Sequence, residues 1–224
     1  MRLGVLFSGG KDSCLALSKA MQTDKVRCLI TLESANPESY MFHTPNIHMV
    51  CLQAKAMDFP LITMKTKGEK ESELEDLKKA LSQAVDTWEI EGVVTGAINS
   101  VYQASRAQRI CDELDLWCFN PLWQMKPDNV LQEILEAQFE VIISSISAYP
   151  LDEKWLGKKI DKRTVEELLT LQEKYGISPA GEGGEFETLV LNGPMFKKRI
   201  QITQHTTSYN NNAGEYTVKG AVLE

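Results

Sequence analysis

Six consecutive residues near the N-terminus, Ser8-Gly9-Gly10-Lys11-Asp12-Ser13, combine the residue types that hold a phosphate. Two glycines let the backbone turn sharply and present bare N–H groups to an anion. A helix opening just beyond them adds unpaired donors and the positive end of its dipole. Ser8 and Ser13 contribute hydroxyl donors, and Lys11 a point charge for phosphate oxygens. Asp12 cannot favour a bare phosphate, so it either caps the helix or holds a magnesium ion that the phosphate shares. The run is not a Walker loop: Asp12 follows Lys11 where that motif needs Ser or Thr, and Val5 stands where its first glycine belongs. A second run, Gly181-Glu182-Gly183-Gly184-Glu185-Phe186-Glu187-Thr188, places three carboxylates among glycines. It reads as a cation site, as a magnesium site, or more plainly as a flexible acidic turn.

The elements around these runs alternate in period. Short β-rich stretches at residues 3–7, 26–32, 61–64, 93–95 and 116–119 are separated by helical ones. In residues 71–88, Leu74, Leu77, Leu81, Val85 and Trp88 recur at three- and four-residue spacing and mark one apolar helix face. Such alternation predicts an α/β fold, a parallel sheet covered by helices on both faces, with ligands bound beyond the carboxyl ends of the strands. After Pro121 the rhythm changes. Helices are expected over 129–138 and 164–175, the latter with Thr164 and Glu167 as a capping box and Gly176 as its left-handed end. Strands are expected over 140–146, 188–191, 199–203 and 216–223. The chain thus divides into a nucleotide-binding domain, residues 1–124, and a smaller α+β domain, residues 125–224, that contributes the glycine–glutamate loop. A cleft between them is the expected active site.

The first run resembles the PP-loop, SGGxDS, of the N-type ATP pyrophosphatases, which share a Rossmann-like (HUP-type) fold and cleave ATP to AMP and pyrophosphate. Within that superfamily the chain is similar to the diphthine–ammonia ligases. The similarity rests on the segment 38–44, on Gly96-Ala97-Ile98 with Ser100, Tyr102, Gln103 and Arg106, on Pro121-Leu122-Trp123, on residues 151–157, and most specifically on the glycine–glutamate octet. The resemblance implies an enzyme that adenylates the carboxylate of diphthine, a modified histidine of translation elongation factor 2, and transfers ammonia to it, with ATP and Mg2+ as cofactors. A carboxylate and an amine form a salt at neutral pH, so activation by AMP transfer is required. On this reading Lys11 and Asp12 are catalytic, and Ser8, Gly9, Gly10, Lys11, Asp12, Ser13 and Gly96 bind ATP. Tyr102, Gln103, Arg106, Glu182, Gly183, Gly184, Glu185, Glu187 and Thr188 bind substrate, and Tyr40 and His43 belong to an active-site loop. Asp12 is the expected magnesium ligand. The quaternary ammonium of diphthine and the ammonium ion both suit a carboxylate-lined pocket, to which Tyr102, Trp123 or Phe186 adds an aromatic face. The chain departs from the family pattern at Val101, Ala104 and Gln108, where an acidic residue, a basic residue and a glutamate are usual.

Composition narrows the alternatives. A net charge of −7 is a poor basis for gripping RNA or DNA by its phosphates, so no stable nucleic-acid binding is expected. No apolar run reaches the roughly 18–20 residues of a membrane helix. Five cysteines without a CxxC pair and three histidines without zinc spacing read as reduced residues of a cytoplasmic protein. No glutaminase segment stands beside the core, so free ammonium is the expected nitrogen donor. The competing functions are a PP-loop amide ligase for another acid such as a corrinoid carboxylate, a tRNA-modifying PP-loop enzyme, and a nucleotide-binding regulatory module. An intact Ser8–Ser13 run argues against the last.

Overall fold

The computed structural model describes residues 1–36, 45–69 and 72–224. Five strands, β1 (Arg2–Leu6), β2 (Lys25–Ser34), β3 (Leu61–Thr66), β4 (Gly92–Val94) and β5 (Trp117–Phe119), pair in parallel in the order β3-β2-β1-β4-β5. The crossovers carry α1 (Lys11–Thr23), α2 (Val50–Met57), α3 (Ser72–Trp88) and α4 (Val101–Glu113). Residues of β2 alternate between the faces, as the strand period requires. Cys28, Ile30 and Leu32 pack with Leu74, Leu77 and Leu81 of α3 and Ile110 of α4, whereas Leu29 joins Leu15 and Leu17 of α1 and Val50 and Ala54 of α2. The strand order reverses between β1 and β4, so the loops leaving those two strands part around a crevice at the carboxyl edge.

The second sheet is antiparallel, with β6 (Glu140–Ile146), β7 (Phe186–Asn192), β8 (Ile200–Asn210) and β9 (Ala213–Leu223) in the order β7-β6-β9-β8. It is accompanied by α5 (Pro127–Glu136) and α6 (Lys162–Tyr175). The chain is therefore an α/β protein with a Rossmann-like parallel sheet and a smaller antiparallel unit. One apolar core runs from Val5 through Leu17 of α1 to Leu131 and Ile134 of α5 and on to Ile143 and Val190 of the second sheet. A further cluster sets Met49 and Ala56 beside Ile142, Leu189 and Val218. The two sheets thus share buried apolar surface.

Two local expectations are corrected. α6 starts at Lys162, and its N-cap is Asp161, whose carboxylate accepts from the Thr164 amide at 2.8 Å. Thr164 is instead inside the first turn, and its hydroxyl donates to the Lys159 carbonyl. An aspartate outranks a threonine three residues later because the cap must have extended backbone, which Asp161 has. Gly176 ends the helix at φ 71° as expected. β8 and β9 run seven and three residues further than the periodicity suggests, meeting at Asn211 and Asn212, both with positive φ. The extension is polar on both faces, so it carries no alternating apolar signal, and the asparagine pair is its turn. Asp161→Ala should cost about 1 kcal/mol of stability in urea denaturation; an unchanged midpoint would mean that packing alone starts α6.

Candidate active site

β1 delivers the chain into the Ser8–Ser13 loop at the crevice, and the loop is held from four sides. Gly9 takes φ 79°, a conformation that side chains resist, and a Cβ there would meet the Gln53 carboxamide. The Gly9 carbonyl accepts from the Val190 amide of β7 at 3.1 Å and from Gln53 Nε2 of α2 at 2.9 Å. The same Gln53 amide donates to the Val190 carbonyl at 2.8 Å, and Gln53 is completely buried. Within the loop, Ser13 Oγ receives Ser8 Oγ at 3.2 Å and donates to the Gly10 carbonyl at 3.1 Å. Gly10 is the N-cap of α1 and offers no side chain, so the Lys11 amide is capped from outside, by Thr188 Oγ1 of β7 at 3.0 Å. From the β4 side, Gly96 lies so close that a Cβ would stand 2.9 Å from the Ser13 nitrogen.

These contacts leave a cleft of about 570 Å³. Ser8, Lys11, Asp12, Ser13 and Gly96 line it on the parallel-sheet side. Gln103 closes it along α4, and Glu182, Gly183, Gly184, Phe186 and Glu187 form the opposite wall. Gly9, Gly10 and Thr188 stand behind the lining and shape it. Tyr102 and Arg106 are not part of it; they face each other one turn apart on α4, with the guanidinium 3.5 Å from the ring centroid. Glu185 turns inward on its own loop, accepting from the Ser178 and Gly183 amides, each at 2.8 Å. Of the three aromatic candidates, Phe186 reaches the cleft, where Lys11 Nζ lies 5.9 Å from its ring centroid. Trp123 is exposed outside it. Tyr40 and His43 fall outside the described residues. Of the five cysteines, Cys14, Cys28 and Cys111 are buried and Cys118 half-buried, but Cys51 is exposed on α2.

Charge is concentrated on this lining. Lys11 is buried and donates to Asp12 Oδ2 at 2.9 Å. Burial alone would lower its pKa, but Asp12 foremost, then Glu182 and Glu187, hold the ammonium above its usual range. Burial pushes the Glu182 carboxyl up to about 7, helped by the charge of Asp12 and opposed by Lys11 and the Asn99 amide. Burial does the same to Glu187, also to about 7, against the pull of Lys11 and with the push of Asp12. The surface of Glu187 stays open to solvent through the cleft.

The set fits a nucleoside triphosphate and its metal. α1 opens onto the cleft beside a buried lysine, and Asp12 Oδ1 is a buried acceptor with no hydrogen-bond partner. Among the described residues no three His, Cys, Asp or Glu gather as metal ligands. A single carboxylate that shares a cation with phosphate suits magnesium, which keeps most of its waters.

A Rossmann-like sheet with a glycine–lysine loop at its switch point, facing an acidic wall from a second sheet, defines a nucleotide-using α/β enzyme. Residues 1–117 match the family model for the diphthamide synthase N-terminal domain and residues 126–223 the model for its C-terminal domain. The chain belongs to the diphthamide synthase family. It is 36% identical over 222 residues to the diphthine–ammonia ligase of Bos taurus and 34% to that of Homo sapiens, covering 90% of this chain and 83% of each relative. To the protein of that name from Schizosaccharomyces pombe it is 33% identical, over 91% of this chain and 36% of the longer relative. Among the described residues no helix is long and apolar enough to cross a membrane.

Two predictions follow from the geometry. Gln53→Leu leaves the buried Val190 carbonyl without its amide donor and the Gly9 carbonyl with one donor fewer, at a cost of about 1–3 kcal/mol in denaturant unfolding. If about 1 kcal/mol of that held the loop in its binding shape, ATP affinity by calorimetry falls about fivefold; unchanged affinity would make Gln53 a packing residue only. Glu182 and Glu187 ionise near 4.5 when unfolded and near 7 when folded, so between those values the folded chain binds more protons. Their contribution is therefore full below 4.5 and lost as pH rises through 7. Urea midpoints should fall over that window in the native chain and fall less in Glu182→Gln/Glu187→Gln; equal slopes would place the titration elsewhere.

Proposed function

We propose that this chain is a diphthine–ammonia ligase, which uses ATP to adenylate the carboxylate of diphthine on translation elongation factor 2 and lets ammonia displace AMP, leaving diphthamide and pyrophosphate. The observation that carries the reading is the meeting of a phosphate loop and an acidic wall across one cleft, in a member of the diphthamide synthase family. The reaction brings together a polyanion and two cations, and this cleft offers one side to each.

The roles divide accordingly. Residues 1–124 form the ATP-binding unit and 125–224 supply the wall that meets the substrate. Ser8, Gly9, Gly10, Ser13 and Gly96 cradle the phosphates. Lys11 sets a fixed positive charge where pyrophosphate departs, and Asp12 would hold Mg2+, which neutralises phosphate charge when bound. Glu182 and Glu187, with Gly183, Gly184 and Gln103, receive the cationic side chain and the ammonium. Ammonium has no lone pair, so a proton must leave it before attack, and a carboxylate poised near neutrality is a suitable acceptor. We assign Glu185 and Thr188 to holding the loops, since their polar atoms are committed to backbone amides. Tyr102 and Arg106, paired on α4, brace the helix that bears Gln103. The cytoplasm, where elongation factors work, is the proposed location.

The test is incubation with ATP, magnesium, ammonium and diphthine-bearing elongation factor 2, with mass spectrometry of the modified peptide. One AMP and one pyrophosphate are expected per amide formed. Lys11→Ala should abolish turnover, and Glu182→Gln/Glu187→Gln should still bind ATP while amidation drops by about two orders of magnitude or more, as two charge-assisted contacts of roughly 1.5–3 kcal/mol each are lost. Release of ADP and orthophosphate without AMP would end the reading. A glutamine double variant that loses ATP–magnesium binding but keeps the protein substrate would reverse the roles of the two walls.

A further inference from the structure

The described surface holds few large exposed rings, and their positions differ in kind. Trp117 is 66% exposed but stands at the start of β5, the opposite end of the parallel sheet from the cleft. Tyr149 and Tyr175, 63% and 48% exposed, instead form a pair, edge to face at 86° with centroids 5.4 Å apart. That is a favoured aromatic geometry, which fixes two rings against each other while leaving their outer faces in water.

The pair is tied to the acidic wall through both chain segments that bear it. Two residues before Tyr149, the Ser147 amide donates to the Glu185 carbonyl at 2.9 Å and the Ser147 hydroxyl donates to the Gly184 carbonyl. Three residues after Tyr175, Ser178 accepts from the Glu182 amide through its hydroxyl at 3.2 Å and donates its own amide to Glu185 Oε1. The two rings are thus carried by the supports of the loop that lines the cleft, yet neither is among the residues of the cleft. ATP and ammonium are small enough to be held by the cleft alone. A side chain that belongs to a folded protein is not, because the surface around it must come to rest against the rim.

We propose that Tyr149 and Tyr175 are a docking patch for the folded protein that carries the carboxylate side chain, gripping surface beside the modified residue while that side chain enters the cleft. The inference rests on the ligase reading above. Tyrosine suits the task, since it offers a large, stiff contact area with a polar tip and is enriched in protein interfaces. Partially exposed rings held in advance also lose little freedom on binding.

The experiment compares two substrates of the same enzyme: whole diphthine-bearing elongation factor 2 and a short peptide cut from its modified loop. In Tyr149→Ala/Tyr175→Ala, KM for the whole factor should rise by about tenfold or more, the range of an aromatic contact residue. KM for ATP, KM for the peptide and kcat should stay near the native values, and Tyr149→Phe/Tyr175→Phe should restore the whole-factor KM because the ring makes the contact. An unchanged KM for the whole factor, with native enzyme active on it, would overturn the docking patch and leave the ligase reading intact. Equal rises for peptide and whole factor would also overturn it, showing that the pair only supports the loop. If native enzyme amidates neither substrate, the ligase reading fails and the patch fails with it.

Discussion

The structure depends on one junction, where the carbonyl of Gly9 is gripped by the Val190 amide and the Gln53 carboxamide, and Gln53 reaches on to the Val190 carbonyl. Three elements meet there: the phosphate loop from the parallel sheet, α2 from its flank, and β7 from the antiparallel sheet. A glycine at φ 79° is what lets the loop carbonyl point away from the cleft into this junction. With that carbonyl occupied, the loop is held in a shape that opens toward the cleft. The two walls are held in register by a neighbouring bond as well, since Thr188, two residues before Val190, caps the Lys11 amide, and Glu187 just before it lines the cleft. Buried hydrogen bonds of this kind add modestly to stability when made and cost far more when broken. Their larger effect here is positional: the distance between the phosphate loop and the acidic wall is not left to side-chain packing.

That fixed distance explains the electrostatics. Lys11, itself buried, faces Asp12, Glu182 and Glu187, one cation among three carboxylates. Burial foremost, with the charge of Asp12 added, raises Glu182 and Glu187 to about 7, so these two hold protons to about neutral pH and lessen the negative charge of the lining. A bound cation would relieve it equally well and displace those protons. Phosphate held at the Ser8–Ser13 loop would add negative charge from the other side.

Much of the fold was legible because its signals are local. The five parallel strands stand where β-rich runs suggest them, and the leucine spacing of α3 marks the face it buries. The Ser8–Ser13 turn from β1 into α1 was legible for the same reason, as all six residues are adjacent. Gln53 was not. Its partners lie 44 residues before it and 137 after it, and nothing about a glutamine inside a short helix marks it as fully buried. The acidic octet was legible as a group but not residue by residue. Glu185 is set apart by accepting from two backbone amides, those of Ser178 and Gly183, and backbone amides have no signature in a list of side chains. The tip of the β8–β9 hairpin escaped because that extension, unlike the strand parts expected beside it, has no apolar face.

Helical geometry accounts for the three departures from the family pattern. Ser100, Gln103 and Ala107 line the cleft at three- and four-residue spacing and so define one face of α4 and its cap. Val101, Ala104 and Gln108 repeat the same spacing one residue on, about 100° around the helix, on the adjoining face. Val101 is 69% exposed, and Gln108 uses its side-chain amide on Asp112 four residues ahead rather than on anything in the cleft. The altered positions therefore run beside the cleft and are not among the residues that line it. What they change is the charge and polarity of the helix surface beside the cleft. One helix thus presents two neighbouring stripes, one lining the cleft and the other beside it, and a substitution on the second leaves the cleft lining untouched.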